Sequence, residues 1–361
     1  MSQLKNLFPL IREREEILAE IEGNRYLSAV FRDWTKEQQE HFLEICTGVV
    51  GAKILSDSFF KEIMNPEYTP GRMERFLANI LKQNVKILQV LPNESTRIAS
   101  EVTLLETDIV VELQDGSIVN VEIQRIGYKF PGERAACYSA DMLLRQYKRV
   151  REARGKKFVY KDVKPVYTIV LFEKSPAELR DFPEEYIHYF EARSNTGLKM
   201  DLLQKFVFVS LDNFMKRSHN KIISDELEAW LTLFTADNPV RIEQLIREYP
   251  EFKAVYDDVY AICLNTERLM GMFSKELRII DENTVQYMID ELQEEVDEKK
   301  RILEETNKEL EETNKALDEK NKALDEKNKA LDEKNKALDE KDKLILQLQE
   351  ELRKMKEQEV L

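Results

Sequence analysis

Asp108, Glu122 and Gln124 stand at a spacing that could hold a divalent cation, in the stretch Glu106–Arg125, ETDIVVELQDGSIVNVEIQR. Hard cations take oxygen ligands. Mg²⁺ uses one or two carboxylates and fills its other positions with water and phosphate oxygens. Asp108 and Glu122 supply carboxylates, the Ile123 carbonyl is a plausible third ligand, and the Gln124 amide can hold a water by hydrogen bonds. Such a site activates water and stabilises charge on a phosphate under attack. On spacing alone, the same residues read more readily as the solvated face of a half-buried hairpin, where acidic side chains are ordinary.

The pairing register decides whether the carboxylates meet. Two β-branched runs flank the turn signal Gln114-Asp115-Gly116, which predicts a hairpin. Along the first run Asp108, Val110 and Glu112 share one face. Along the second, Asn120, Glu122 and Gln124 do. Alternation with period two predicts one buried and one wet face. A two-residue Asp115-Gly116 turn would set Asp108 against Ile123, on the wrong face. A three-residue loop, Gln114 to Gly116 with a left-handed glycine, sets Asp108 against Glu122 and leaves Gln124 diagonal. Opposed Cβ atoms then lie roughly 5 Å apart, close enough to share one cation. The three-residue register is expected.

The elements around this hairpin predict a mixed α/β fold. Helices are expected through residue 50, one of them capped by Thr35 with Gln38 three residues on and ended at Gly48. A short helix follows over Ser56–Ile63, then an amphipathic helix over Arg72–Gln83 and a strand over Val85–Leu91. After the hairpin come a long helix over Glu133–Arg154 and a nearly all-apolar strand over Lys164–Phe172, the pattern of a buried central strand. Strands over Tyr186–Ala192 and Lys205–Leu211 complete the sheet, and helices fill the chain from Asn220. The expected divisions are an N-terminal helical extension (1–50), a core (51–215), a helical region (216–290) and a heptad-repeat tail (291–361).

The chain has 361 residues, 42% hydrophobic and 34% charged, with a net charge of −14. That length supports a sizeable core with extensions. From Glu291 onward there are 23 acidic and 16 basic residues, half of the net charge. An acidic body argues against general coating of nucleic acid and leaves room for a local basic groove. Three dispersed cysteines suggest a reduced protein without a disulfide framework. No stretch approaches the ~20 uncharged apolar residues of a membrane span, and the start lacks a signal core. A cytoplasmic protein is expected. His41, His188 and His219 lack ligand spacing, and no zinc site, Ser-His-Asp arrangement or Gly-rich phosphate loop is recognisable.

In the tail the heptad NKALDEK recurs from Asn314 to Lys341. With Leu303, Leu310, Leu317, Leu324, Leu331 and Leu338 at d, the a positions from Asn307 to Asn335 are all Asn. Lys at g and Asp at e attract across a pair of helices, so the pattern suits a parallel two-stranded coiled coil and a homodimer. It also suits a solvated single helix held by i,i+4 pairs such as Asp318–Lys322. A helix over the tail would reach roughly 100 Å.

The text DIVVELQDGSIVNVEIQ, then GYKFPGERAACYSADMLLRQYKRV, then VYTIVLF, with CTGVVGAKILSDSFFKEI upstream, resembles the PD-(D/E)xK nucleases. The likeness is to the branch of nuclease-family transposases, or recombination-promoting nucleases, in which glutamine replaces the active-site lysine. It extends over most of residues 30 to 285. The resemblance implies a restriction-endonuclease-like core, α-β-β-β-α-β, with Arg72–Gln83 and Glu133–Arg154 as its helices. It further implies an Mg²⁺- or Mn²⁺-dependent DNA endonuclease with Asp108, Glu122 and Gln124 catalytic, and with Asp108, Glu122 and Ile123 on the metal. Some members add a glutamate from the first helix, for which Glu74 is the candidate; it equally reads as an exposed first-turn residue favoured by the helix dipole. Thr107 stands where the signature has proline. Gln124 brings no positive charge, so a catalytically weak or inactive binding or scaffold protein, dimerised by its coil, is the second reading. The basic second helix, with Arg145, Lys148 and Arg149 and with Arg134 nearer the hairpin, is a candidate DNA-phosphate surface or an ordinary solvated face.

Overall fold

The computed structural model describes residues 3–92, 108–125, 131–219 and 221–358. Thr107 lies outside them. Residues 1–290 form one compact unit and 291–361 another.

Among the described residues, six helices precede the sheet: α1 (Gln3–Leu7), α2 (Arg14–Gly23), α3 (Arg25–Asp33), α4 (Lys36–Cys46), α5 (Asp57–Ile63) and α6 (Pro70–Leu81). The expected capping box starts α4. Thr35 Oγ1 accepts the Gln38 N–H at 3.2 Å, and Gln38 Oε1 accepts the Thr35 N–H at 2.8 Å. Ser56 caps α5 through the Phe59 N–H. Phe60, Ile63 and Met64 anchor that short helix in the core.

The strands are β1 (Ile87–Leu91), β2 (Ile109–Leu113), β3 (Ile118–Gln124), β4 (Val166–Phe172), β5 (Ile187–Phe190) and β6 (Gln204–Ser210), in spatial order β1-β2-β3-β4-β6-β5. β3, β4 and β6 run parallel, and the other pairs are antiparallel. The crossover from β3 to β4 is α7 (Pro131–Arg154), and α8 (Ala177–Arg180) follows β4. Thus α6-β1-β2-β3-α7-β4 realises the expected core order.

After β6 come α9 (Leu211–Ser218), α10 (Glu226–Thr235), α11 (Pro239–Glu248), α12 (Lys253–Cys263) and α13 (Thr266–Gln358). Residues from Leu4 to Met270 share one hydrophobic cluster, which takes in Ile109, Val111, Val119, Val121, Ile169 and Val207 from the sheet. Its aromatic centre joins segments far apart in sequence. Phe60 and Phe76 meet Phe234, and Trp34 and Phe42 meet Phe273. Each fully buried ring of this kind contributes roughly 1.5–3 kcal/mol.

The opposite face of the sheet departs from the sequence expectation of a wet surface. There α7 covers it, with Met142 packed on Val110, Ile118 and Val166, and Ala135 on Val170, Phe172 and Phe208. Alternation remained in the sequence because α7 is itself amphipathic in an unusual sense and buries polar groups: Ser139, Asp141 and Gln146 all point inward. Gln146 ties the layers together. Its Nε2 donates to the Gly116 carbonyl at 2.7 Å, and its Oε1 accepts the Lys164 N–H at 2.9 Å.

In the second unit, the seventh-position leucines from Leu303 to Leu338 are between 54% and 60% exposed in the single chain.

Candidate active site

The hairpin folds in the three-residue register. Ile109 pairs with Val121 and Glu112 with Ile118, which aligns Asp108 with Glu122. The Leu113 N–H donates to the Ser117 carbonyl at 2.8 Å, closing the loop over Gln114, Asp115 and Gly116. Gly116 has φ +87°, the left-handed conformation the loop demands. Asp115 stabilises the exit by accepting the Ser117 N–H at 2.9 Å.

At the open end of the hairpin the carboxylates interlock through the backbone. Asp108 Oδ2 accepts the Ile123 N–H at 2.7 Å, and Glu122 Oε1 accepts the Asp108 N–H at 3.3 Å. Glu122 is only 3% exposed, and Gln124 is buried beside it on the same strand face. Burial and then the Asp108 charge push the Glu122 carboxyl well above its ordinary value, with the Arg134 charge among the groups opposing them. Arg134 Nη2 donates to Tyr138 Oη at 2.8 Å, and its guanidinium lies 5.4 Å from that ring. Burial, followed by the Glu122 charge, raises the Tyr138 phenol.

Asp108 faces outward into a cleft of about 440 Å³ lined by Lys61, Asn65, Glu67, Leu91 and Pro92. Lys61 Nζ lies 2.9 Å from Asp108 Oδ1. Two hard oxygen donors, one buried and one at the mouth of a cleft, repel each other unless a cation lies between or beside them. The donor set therefore fits a divalent cation. Among the described residues there is no group of three or more His, Cys, Asp or Glu side chains arranged for a metal. Two carboxylates with water and phosphate are the set that Mg²⁺ commonly uses.

Glu74 is not part of this set. Its Oε2 pairs with Lys86 at 2.7 Å and its Oε1 accepts the Ile87 N–H at 2.9 Å, at the start of β1. β1 runs antiparallel to β2, and Ile87 stands opposite Leu113. Glu74 is thus at the far end of the hairpin, about 17 Å from Asp108 along the strand. Burial opposes its charge, but Lys86 and the Ile87 N–H outweigh burial and lower its carboxyl.

The basic helix also differs from its sequence reading. Arg145 pairs with Asp141 at 2.8 Å and donates to the Pro92 carbonyl at 2.8 Å, and Arg149 pairs with Glu112 at 2.5 Å. These two arginines hold α7 to the sheet and β1, because the helix face they share meets a sheet carrying buried carboxylates. Lys148 is exposed, and Arg134 belongs to the surroundings of Glu122. Sequence reasoning missed Lys61, which lies 47 positions before Asp108 with no spacing to connect them. It also missed the neighbouring ion cluster in which Glu173 joins Lys53 and Arg125, and Arg125 joins Glu276.

Among the described residues no helix is long and apolar enough to cross a membrane. No curated protein and no solved structure matches the chain. A family model described as PD-(D/E)XK nuclease family transposase matches residues 54–291, more than half of the chain, and takes in α5, all six strands and α7. The chain belongs to the PD-(D/E)XK nuclease family transposases.

Proposed function

We propose that this chain is a DNA endonuclease that hydrolyses phosphodiester bonds with Mg²⁺ or Mn²⁺, at a site made by Asp108, Glu122 and Gln124. Family membership supports a nuclease acting on DNA. The observation that carries the reading is the alignment of Asp108 with Glu122, one at the mouth of a cleft and one buried behind it. In it, Asp108 and Glu122 hold the metal, with the Ile123 carbonyl as a third donor. When bound, the cation supplies Lewis acidity and positive charge beside the scissile phosphate. Gln124, one pleat along, orients the attacking water by hydrogen bonds. The water oxygen bonds to phosphorus and gives up one proton to solvent as the bond to the leaving oxygen breaks, and that oxygen takes a proton from solvent. Lys148, with Arg151 and Arg154 further along α7, steers the DNA backbone.

The test is nicking of supercoiled plasmid with Mg²⁺ or Mn²⁺, comparing wild type with Asp108→Ala. Cleavage that requires both metal and Asp108 is the expected result. Its absence in wild type rejects the reading.

The uncharged Gln124 favours a second reading, in which the chain is a weak or inactive nuclease that binds DNA as a scaffold. Both readings include a homodimer through the tail. Its support is the stripe of half-exposed leucines flanked by attracting Lys and Asp positions. Sedimentation of the full chain against one ending at Asp290 tests it. A dimer that becomes a monomer is expected, and two monomers refute the coil.

A further inference from the structure

Gln124 leaves the site without the lysine of its family signature, yet a lysine is present there from another direction. Lys61 projects from α5, whose Phe60 is fully buried against Phe234 at 5.4 Å between ring centroids. The helix is therefore fixed, and only the side chain of Lys61 reaches the site. Its ammonium lies 2.9 Å from Asp108 Oδ1, while the side chain stays 35% exposed and lines the same cleft as Asp108. Arg134 flanks the carboxylates from the α7 side, against Tyr138. Among the described residues that line the cleft, Lys61 is the cation, and the cleft is the open approach to Asp108.

Resting on the nuclease reading above, we propose that Lys61 supplies from α5 the positive charge that Gln124 lacks, and contacts the scissile phosphate once Asp108 and Glu122 are engaged with metal. In the metal-free protein the same ammonium occupies an oxygen of Asp108 and competes with the cation for it. A lysine ammonium on a flexible four-carbon stem can make both contacts in turn.

The experiment uses the full-length protein as wild type, Lys61→Met, Lys61→Arg and the double variant Lys61→Met with Gln124→Lys. Plasmid cleavage with Mn²⁺ is measured with separate kcat and KM, and Mn²⁺ binding without DNA is measured by electron paramagnetic resonance. Lys61→Met is expected to lower kcat by about 10²–10³-fold, the usual loss when one preorganised charge contact in a transition state is removed. It should also tighten Mn²⁺ binding several-fold, since Asp108 is released. Lys61→Arg should retain part of the activity, and Gln124→Lys should restore at least about tenfold to the Lys61→Met protein.

Cleavage by Lys61→Met within about threefold of wild type overturns the proposal and leaves the nuclease reading intact. So does Mn²⁺ binding that weakens while neither Lys61→Arg nor Gln124→Lys recovers cleavage, which marks Lys61 as a structural partner of Asp108. Wild type that binds Mn²⁺ and DNA without cleaving brings down the nuclease reading, and this proposal with it.

Discussion

Gln146→Ala tests how the site is held in register. Gln146 is fully buried in α7 and bridges the hairpin turn to the start of β4, donating to the Gly116 carbonyl and accepting the Lys164 N–H. Truncation orphans one carbonyl and one N–H, both of the main chain. A fully buried orphan costs about 1–3 kcal/mol, but Gly116 is half-buried and Lys164 exposed, so water relieves part of it and a loss of about 1–3 kcal/mol is expected. Gln146→Glu keeps the acceptor for Lys164 and sets a carboxylate against the Gly116 carbonyl, so it should be at least as damaging at neutral pH. The assay is urea unfolding of the full chain at fixed concentration, followed by the fluorescence of Trp34 and Trp230, together with amide exchange. The Leu113 and Gly116 amides close the loop and should lose protection before those of β6. A stability change below about 1 kcal/mol, or protection lost evenly over the sheet, would refute the idea that this one side chain clamps the turn.

Gly116→Ala places a side chain at φ +87° with its Cβ 3.3 Å from Lys164 Cγ, and should destabilise by about 1–2 kcal/mol in the same unfolding assay. Saturating Mn²⁺ should raise the melting temperature of wild type, since 100 times the Kd is worth about 2.7 kcal/mol, and should leave Asp108→Ala unmoved in differential scanning calorimetry. For Glu173, burial disfavours the charge, but Arg125 and Lys53 outweigh burial and hold the carboxyl below its ordinary value. A lowered folded pKa stabilises fully above the ordinary carboxylate range and loses that stabilisation as pH falls on through the lowered folded value. Glu173→Gln should therefore cost about 2 kcal/mol at pH 7, and the difference should fade only as pH drops below the ordinary carboxylate range and through the lowered folded value, as read by urea midpoints across pH. Arg149→Ala should lower stability, whereas Lys148→Ala should weaken DNA binding and flatten its salt dependence in fluorescence anisotropy.

The hairpin was legible because its information is local: alternation defined the faces, and one glycine at the end of a three-residue loop selected the register. The core order was legible for a similar reason, since each element carries its own period and its own stop signals, such as the Thr35 capping box. Glu74 was not legible. Its distance from Asp108 depends on the direction in which β1 lies against β2, which no spacing encodes. The basic residues of α7 showed their charge but not their facing. A helix usually turns apolar residues to a sheet, and this one turns Gln146, Asp141 and Arg149 to a sheet that offers Gly116, Glu112 and other polar partners. Lys61 was hidden because its relation to Asp108 exists only once α5 is packed on the core.

The near-identical heptads of the tail have an evolutionary consequence. Removing or adding one NKALDEK unit moves every later leucine by about two helical turns and returns it close to the same stripe, with Asn, Lys and Asp again in phase. A change of 21 nucleotides in the coding sequence is therefore silent in the chemistry of the helix surface and alters only its length, by about 10 Å per unit. Direct repeats of that kind invite such changes during replication. The length of the tail can thus drift in discrete steps, while residues 1–290, with apolar clusters packed on both faces of the sheet, tolerate no comparable insertion in an element.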